Sequence, residues 1–191
     1  MSTEQSKAQD VVTAASIMRP TGADNARAGG VYSVECRDAA GNLKWSDTFH
    51  NLVVNQGLQD MNAKYFASAT PYTSTWFLGL VTGPGSGTTF AATDTLASKA
   101  WTENTNYTGN RKAVTFGTAT TADPSVITNS AAPSTFTMNA NAQTIAGAFL
   151  CNVSSGTSGI LFSAGDFTGG DKLVDSGDTL SVTYTFSLDA A

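Results

Sequence analysis

Thr179–Leu188 reads TLSVTYTFSL, and this stretch decides the fold. Leu180, Val182, Tyr184, Phe186 and Leu188 alternate without a break with Thr179, Ser181, Thr183, Thr185 and Ser187. Successive side chains leave a strand on opposite faces. The alternation therefore predicts a strand with one face on a core and the other toward water or a polar layer. β-branched and aromatic residues suit that pleated surface. Gly177-Asp178 just before it marks a turn. A strand apolar on one face needs a second layer to cover it, and the rest of the chain reads as material for that layer.

Upstream, Val31–Arg37 and Leu43–Phe49 are joined by a loop of turn formers, Asp38–Asn42. Two strands around a short Gly-containing loop make a hairpin. Its faces are mixed, which suits the edge of a sheet. Thr75–Val81 is a nearly continuous apolar run of strand length and fits a central strand. Arg111–Thr118, Val126–Thr128, Ser134–Met138, Thr144–Cys151 and Ile160–Ser163 add further strands, and Ala92–Lys99 holds at most a helical turn. One helix is expected over about 55–67. Asn55 would cap it. Leu58, Met61, Tyr65 and Phe66 recur at helical spacing and form a stripe expected to pack on the core, while Gly57 weakens the helix. About nine short strands and one short helix predict an all-β fold, a two-sheet β-sandwich that is jelly-roll-like.

Residues 1–29 read as a flexible N-terminal arm and 30–191 as the sandwich domain. Pro20, Gly22, Gly29 and Gly30 break regular structure in the arm, and Val11–Met18 forms at most a short helix with a weak apolar face. The functional reading of the arm is a segment that orders on a neighbouring subunit.

Composition narrows the function classes. At 191 residues and 41% hydrophobic content, one domain with a real core is expected. Only 13% of residues are charged, about half the usual share. Thr, Ser, Ala, Asn and Gly fill the gap, as in β proteins packed against other subunits. A net charge of −5 and an isoelectric point near 4.6 argue against a nucleic-acid partner, which needs a basic face. No apolar run approaches the ~20 residues of a membrane span. No export signal is visible, so assembly in a cytoplasm is expected.

Candidates for chemistry are few. His50 is the only histidine, with no GxSxG, HExxH or recognisable catalytic-cysteine pattern to accompany it, so no catalytic residue is expected. Gly83–Gly87 lacks the Gly-Lys-Ser/Thr of a phosphate loop and reads as a plain mobile loop. Asp166, Asp171, Asp175 and Asp178 form the best carboxylate cluster for calcium. Their spacing does not fit an EF-hand, and solvated turns are the plainer reading, so no metal and no cofactor are expected. Cys36 and Cys151 read as small buried hydrophobes, with a disulfide between them left open. Arg111-Lys112 and Lys64 read as solvated cations. Trp45, Trp76 and Trp101 would stack on sugars only if exposed in a row, and Trp76 reads as core.

The order VYSVECRDAAGNLKW (Val31–Trp45), NLVVNQGL (Asn51–Leu58), WFLGL (Trp76–Leu80), ATDTLASKAW (Ala92–Trp101), YTGNRK (Tyr107–Lys112), IAGAFL (Ile145–Leu150) and GDTLSVTY (Gly177–Tyr184) resembles a family of small tailed-bacteriophage virion structural proteins. The resemblance spans about 30–188, and its motifs are packing and turn motifs with no catalytic residue to carry over. It implies a non-enzymatic capsid decoration or cement protein, bound to the major capsid protein and to copies of itself as a homo-oligomer. The location implied is the virion, after assembly in the host cytoplasm. The alternative is a tail or fibre component that binds a glycan receptor.

Overall fold

A computed structural model describes residues 26–67, 75–83 and 90–190 of the chain. In chain order the elements are β1 (Ala26–Arg37), β2 (Leu43–His50), β3 (Leu52–Val53), α1 (Asn55–Phe66), β4 (Trp76–Thr82), β5 (Glu103–Asn104), β6 (Lys112–Val114), β7 (Ser125–Thr128), β8 (Ser134–Thr137), β9 (Gln143–Cys151), β10 (Leu161–Asp166), β11 (Lys172–Val174) and β12 (Thr179–Ala190). They form the expected all-β sandwich of two antiparallel sheets. One sheet runs β2-β1-β12-β7, with β8 also on β12; the other runs β3-β10-β9-β4-β5, with β11 on β9 and β6 on β4.

The alternating strand sits at the heart of the first sheet. β12 pairs with β1 along its whole length, from Ala26↔Ala190 to Arg37↔Thr179. Leu180, Val182 and Tyr184 are fully buried, whereas the intervening Thr and Ser are only half-buried. Its other side is shared: β8 covers Thr179–Val182 and β7 covers Thr185–Leu188. Asn129 fills the gap between them. It is fully buried, accepts from the Tyr184 amide at 2.7 Å and donates to the Val182 carbonyl at 3.3 Å. Its backbone amide also donates to the Tyr184 carbonyl at 3.3 Å, so side chain and backbone together carry the ladder between β8 and β7, as buried backbone groups require.

Between the sheets, Tyr32, Val34, Cys36 and Phe49 meet Leu78, Leu80, Ile145, Leu150 and Phe162 in one cluster. A second cluster lies around Val81, Phe149, Cys151, Leu161 and Ala164, on the other face of the β9-containing sheet, with Leu96 and Trp101. Burial on both faces explains why β4 and β9 read as continuous apolar runs. Gly79 is required there, because the Phe149 ring on the neighbouring strand lies where its Cβ would stand.

Several expectations change. β1 begins at Ala26, so Gly29 and Gly30 lie inside a strand, opposite Ser187 and Phe186. The twelve-residue partner strand holds them in line despite their low β propensity. Residues 1–25, with Pro20, Gly22 and Val11–Met18, lie outside the described residues. The helix spans Asn55–Phe66, but Val54 occupies the cap position and no side chain caps it. Arg111–Thr118 contributes only the short β6, and Ala92–Lys99 is turns and bends. β3, β5 and β11 are two or three residues long and leave no periodic trace in the sequence.

The helix stripe does not pack as expected. Leu58 is 40% exposed, Tyr65 75% and Phe66 77%, and only Met61 touches the core. The buried residue of α1 is Gly57. A Cβ there would come within 2.5 Å of the Phe162 carbonyl oxygen. The helix therefore lies on β10 through its glycine, and the stripe is turned away from the core.

Candidate functional site

The four aspartates do not converge. Asp178 is buried, accepts from Lys44 Nζ at 2.6 Å and accepts from the Asp175 amide at 2.8 Å. Asp175 accepts from the Ala142 amide at 3.0 Å and from Lys44 at 3.4 Å. These bonds hold the Asp175 carboxyl below the usual range, the Ala142 amide first and then Lys44. The pair pins the 175–178 turn to β2. Asp166, at the end of β10, lies apart from that pair, with one buried oxygen that has no hydrogen-bond partner. Burial pushes its carboxyl up, and the negative charge of Asp171 adds to the effect. Among the described residues, no three His, Cys, Asp or Glu side chains are placed to hold a metal.

The other candidates are dispersed. His50 is exposed at the end of β2. Cys36 and Cys151 are free and sit in different core clusters, so the disulfide left open by the sequence does not form. Burial pushes the Cys36 thiol up to about 12 and raises that of Cys151. Thiols held protonated in this way are poor nucleophiles. Trp101 is buried and donates to Asp94 at 2.9 Å. Trp76 and Trp45 are half-buried, Trp76 edge-on to Phe162 and Trp45 donating to the Leu173 carbonyl. They do not make an exposed aromatic row. Gly83 donates to the Thr144 carbonyl, and residues 84–89, including the rest of the glycine loop, lie outside the described residues.

Arg111 is the largest departure from the sequence reading. It is 6% exposed rather than solvated. Its guanidinium donates to both Glu103 oxygens, at 2.8 and 2.6 Å, and to the carbonyls of Val153 and Gly156. It also stands 5.2 Å over the Phe149 ring. A planar fork with five donors suits this work of tying the 153–156 loop to β5. Lys112 lies over the Tyr107 ring. Lys64 is mostly buried along its stem and pairs with Asp60 one helical turn back at 3.3 Å.

What remains as a candidate site is a surface. The outer face of the first sheet carries Thr48 and Ser46 from β2, Ser33 and Glu35 from β1, and Ser181, Thr183, Thr185 and Ser187 from β12. Its charged side chains lie toward the two ends, Glu35 and Arg37 at one and Arg27 opposite Asp189 at the other, with hydroxyls between them. Glu35 pairs with Arg37 at 3.3 Å at one corner. Ser33, Glu35, Ser46, Thr48, Ser181 and Thr183, with Asp47 and Pro133, line a shallow concavity of about 380 Å³. A second surface feature is an apolar groove of about 590 Å³ at the end of α1, lined by Met61, Tyr65, Phe66, Trp76, Leu188 and Ala26. The alternation of β12 announced the first surface as its polar face, and the stripe of α1 named residues of the second while suggesting the wrong role for them.

Neither the family models, nor the curated proteins, nor the solved structures compared with the chain give a match. The functional reading rests on the residues and their arrangement.

Proposed function

We propose that the chain is a non-enzymatic virion structural protein of a tailed bacteriophage, a decoration or cement protein that bridges capsid subunits. The observation that carries the reading is the hydroxyl-bearing outer face of the β2-β1-β12 sheet, whose charged side chains are confined to its ends. Covering charged side chains costs several kcal/mol per unpaired ion, whereas hydroxyls re-pair readily with a partner's polar groups. Charge depletion also marks the centres of protein interfaces. The rigid strands beneath hold the face in one shape.

Magnitude explains why such a face suits a lattice. Three strands ~4.8 Å apart and about eight residues long present on the order of 400 Å². A stable pairwise interface needs about 800 Å² on each partner. One contact is therefore weak alone. Contacts made by one body to the major capsid protein and to neighbouring copies of itself add through effective concentration, so occupancy becomes high without any single tight interface. The resemblance to phage virion proteins in Val31–Trp45 and Gly177–Tyr184 supports the same assignment.

The test is location and stoichiometry. Purified DNA-filled particles should carry the chain on the head at lattice stoichiometry. Thr183→Lys, which sets a charge in the middle of the face, should abolish occupancy while the isolated protein keeps its unfolding midpoint. Absence of the chain from mature heads, or full occupancy by the lysine variant, would overturn the reading. The concavity lined by hydroxyls and Glu35 favours a second reading, a tail-borne site for a glycan. In that case the chain would be found on the tail, and Glu35→Gln would weaken glycan binding.

A further inference from the structure

The groove at the end of α1 plays no part in outer-face docking, and its exposed rings need an explanation of their own. Tyr65 and Phe66 touch edge to face, with centroids 4.8 Å apart, and about three-quarters of each is open. Clustered apolar surface of this kind marks a place where something docks. The chain itself supplies an occupant. It enters the described structure at Ala26, which lines the groove, so residues 1–25 start from the groove's own margin.

Those residues hold a single apolar block, Val11–Met18, reading VVTAASIM. Pro20, Gly22, Asp24 and Asn25 follow it, residue types that reverse chain direction. The seven residues from Arg19 to Asn25 reach at most ~25 Å, enough to bring the block back over Ala26.

We propose that the groove is the docking site for the chain's own segment Val11–Met18. The segment covers Tyr65 and Phe66 with Val11, Val12, Ile17 and Met18, and completes the layer that α1 leaves open. The inference is independent of the capsid assignment, since it concerns the isolated protein.

The experiment uses the full chain with paired cysteines. Asn62→Cys, on the groove, is combined with Ile17→Cys in one variant and with Val12→Cys in another. The native Cys36 and Cys151 are buried and stay out of the reaction. A disulfide needs Cα atoms within ~7 Å, so it reports contact directly. Under mild oxidant, at least one pair should close within the monomer, with loss of two thiols and of their two hydrogens and no dimer formed. A disulfide-linked dimer would show that a second copy's segment fills the groove, and no disulfide in either variant would show that the segment does not dock there. Either result overturns the proposal. As a second readout, Ile17→Asp in the full chain should speed chymotryptic cleavage after Tyr65 and Phe66 and raise apolar-dye binding several-fold, with an unchanged circular dichroism spectrum. Cleavage and dye binding that stay at the unsubstituted level would equally overturn it.

Discussion

β12 and α1 each carry an apolar stripe, Leu180, Val182 and Tyr184 on the strand and Leu58, Met61, Tyr65 and Phe66 on the helix. The strand's stripe is fully buried, with the Tyr184 ring 4.7 Å from that of Tyr32 in a tilted pair and its hydroxyl bonded to Asn51 and Ser163. The helix's stripe is largely in the open, and the helix meets the sandwich through Gly57 instead. Periodicity identifies which residues share a face. It does not say what stands opposite that face. β12 is fixed by ladder bonds to three strands of its own sheet, which together hold its stripe against the second sheet, whereas α1 is bound by no ladder and packs chiefly along β10.

The sharpest way to break this contrast is to truncate one aromatic from each stripe. Tyr184→Ala should destabilise the protein by about 3–5 kcal/mol in denaturant unfolding, since it opens a cavity and strands the Asn51 amide. A cost below about 1 kcal/mol would mean that the core is not organised on β12. Arg111→Met asks the same question of a residue the sequence left outside. Removing the guanidinium leaves Glu103 without its partner and should cost about 3 kcal/mol, with faster proteolysis in the 153–156 loop. Gly57→Ala tests the helix's true contact. Its Cβ meets the Phe162 carbonyl, so a loss of about 1–3 kcal/mol is expected despite alanine's better helix propensity.

Asp166→Asn gives a smaller effect with a pH signature. Burial raises the Asp166 carboxyl, with Asp171 adding. A carboxyl whose pKa is higher in the folded state favours folding when protonated. That contribution is complete below the unfolded value, ~3.9, and is lost as pH rises through the folded value. The asparagine variant should therefore unfold at a higher temperature than the parent at pH 7, and the gain should vanish below pH ~4. Phe66→Ala should change global stability least, by ~0.5 kcal/mol or less, because the ring is mostly in water.

Most of the sandwich was legible because its strands are long and their alternation is clean. β12, the β1–β2 hairpin, β4, β8 and β9 all fall where side-chain period and turn residues place them. β3, β5 and β11 escaped because two or three residues carry no period, and their pairing is set by neighbours distant in sequence. Gly29 and Gly30 escaped for the opposite reason, since local propensity argued against a strand that tertiary pairing imposes. Of the candidate site, the polar face of β12 was visible and its extent was not, because Ser33, Ser46 and Thr48 join it only through strand register. Arg111 was misplaced because nothing near it in sequence announces Val153, Gly156 or Phe149 as its surroundings.

The pairing of β1 with β12 also sets a schedule for biosynthesis. The central ladder of the first sheet joins residues more than 140 positions apart, as in Arg37↔Thr179. It cannot close while the carboxyl-terminal strand is still inside the ribosome. A nascent chain that stalls short of Thr179 holds an unpaired β1 edge and half a core, and is a substrate for chaperones and proteases.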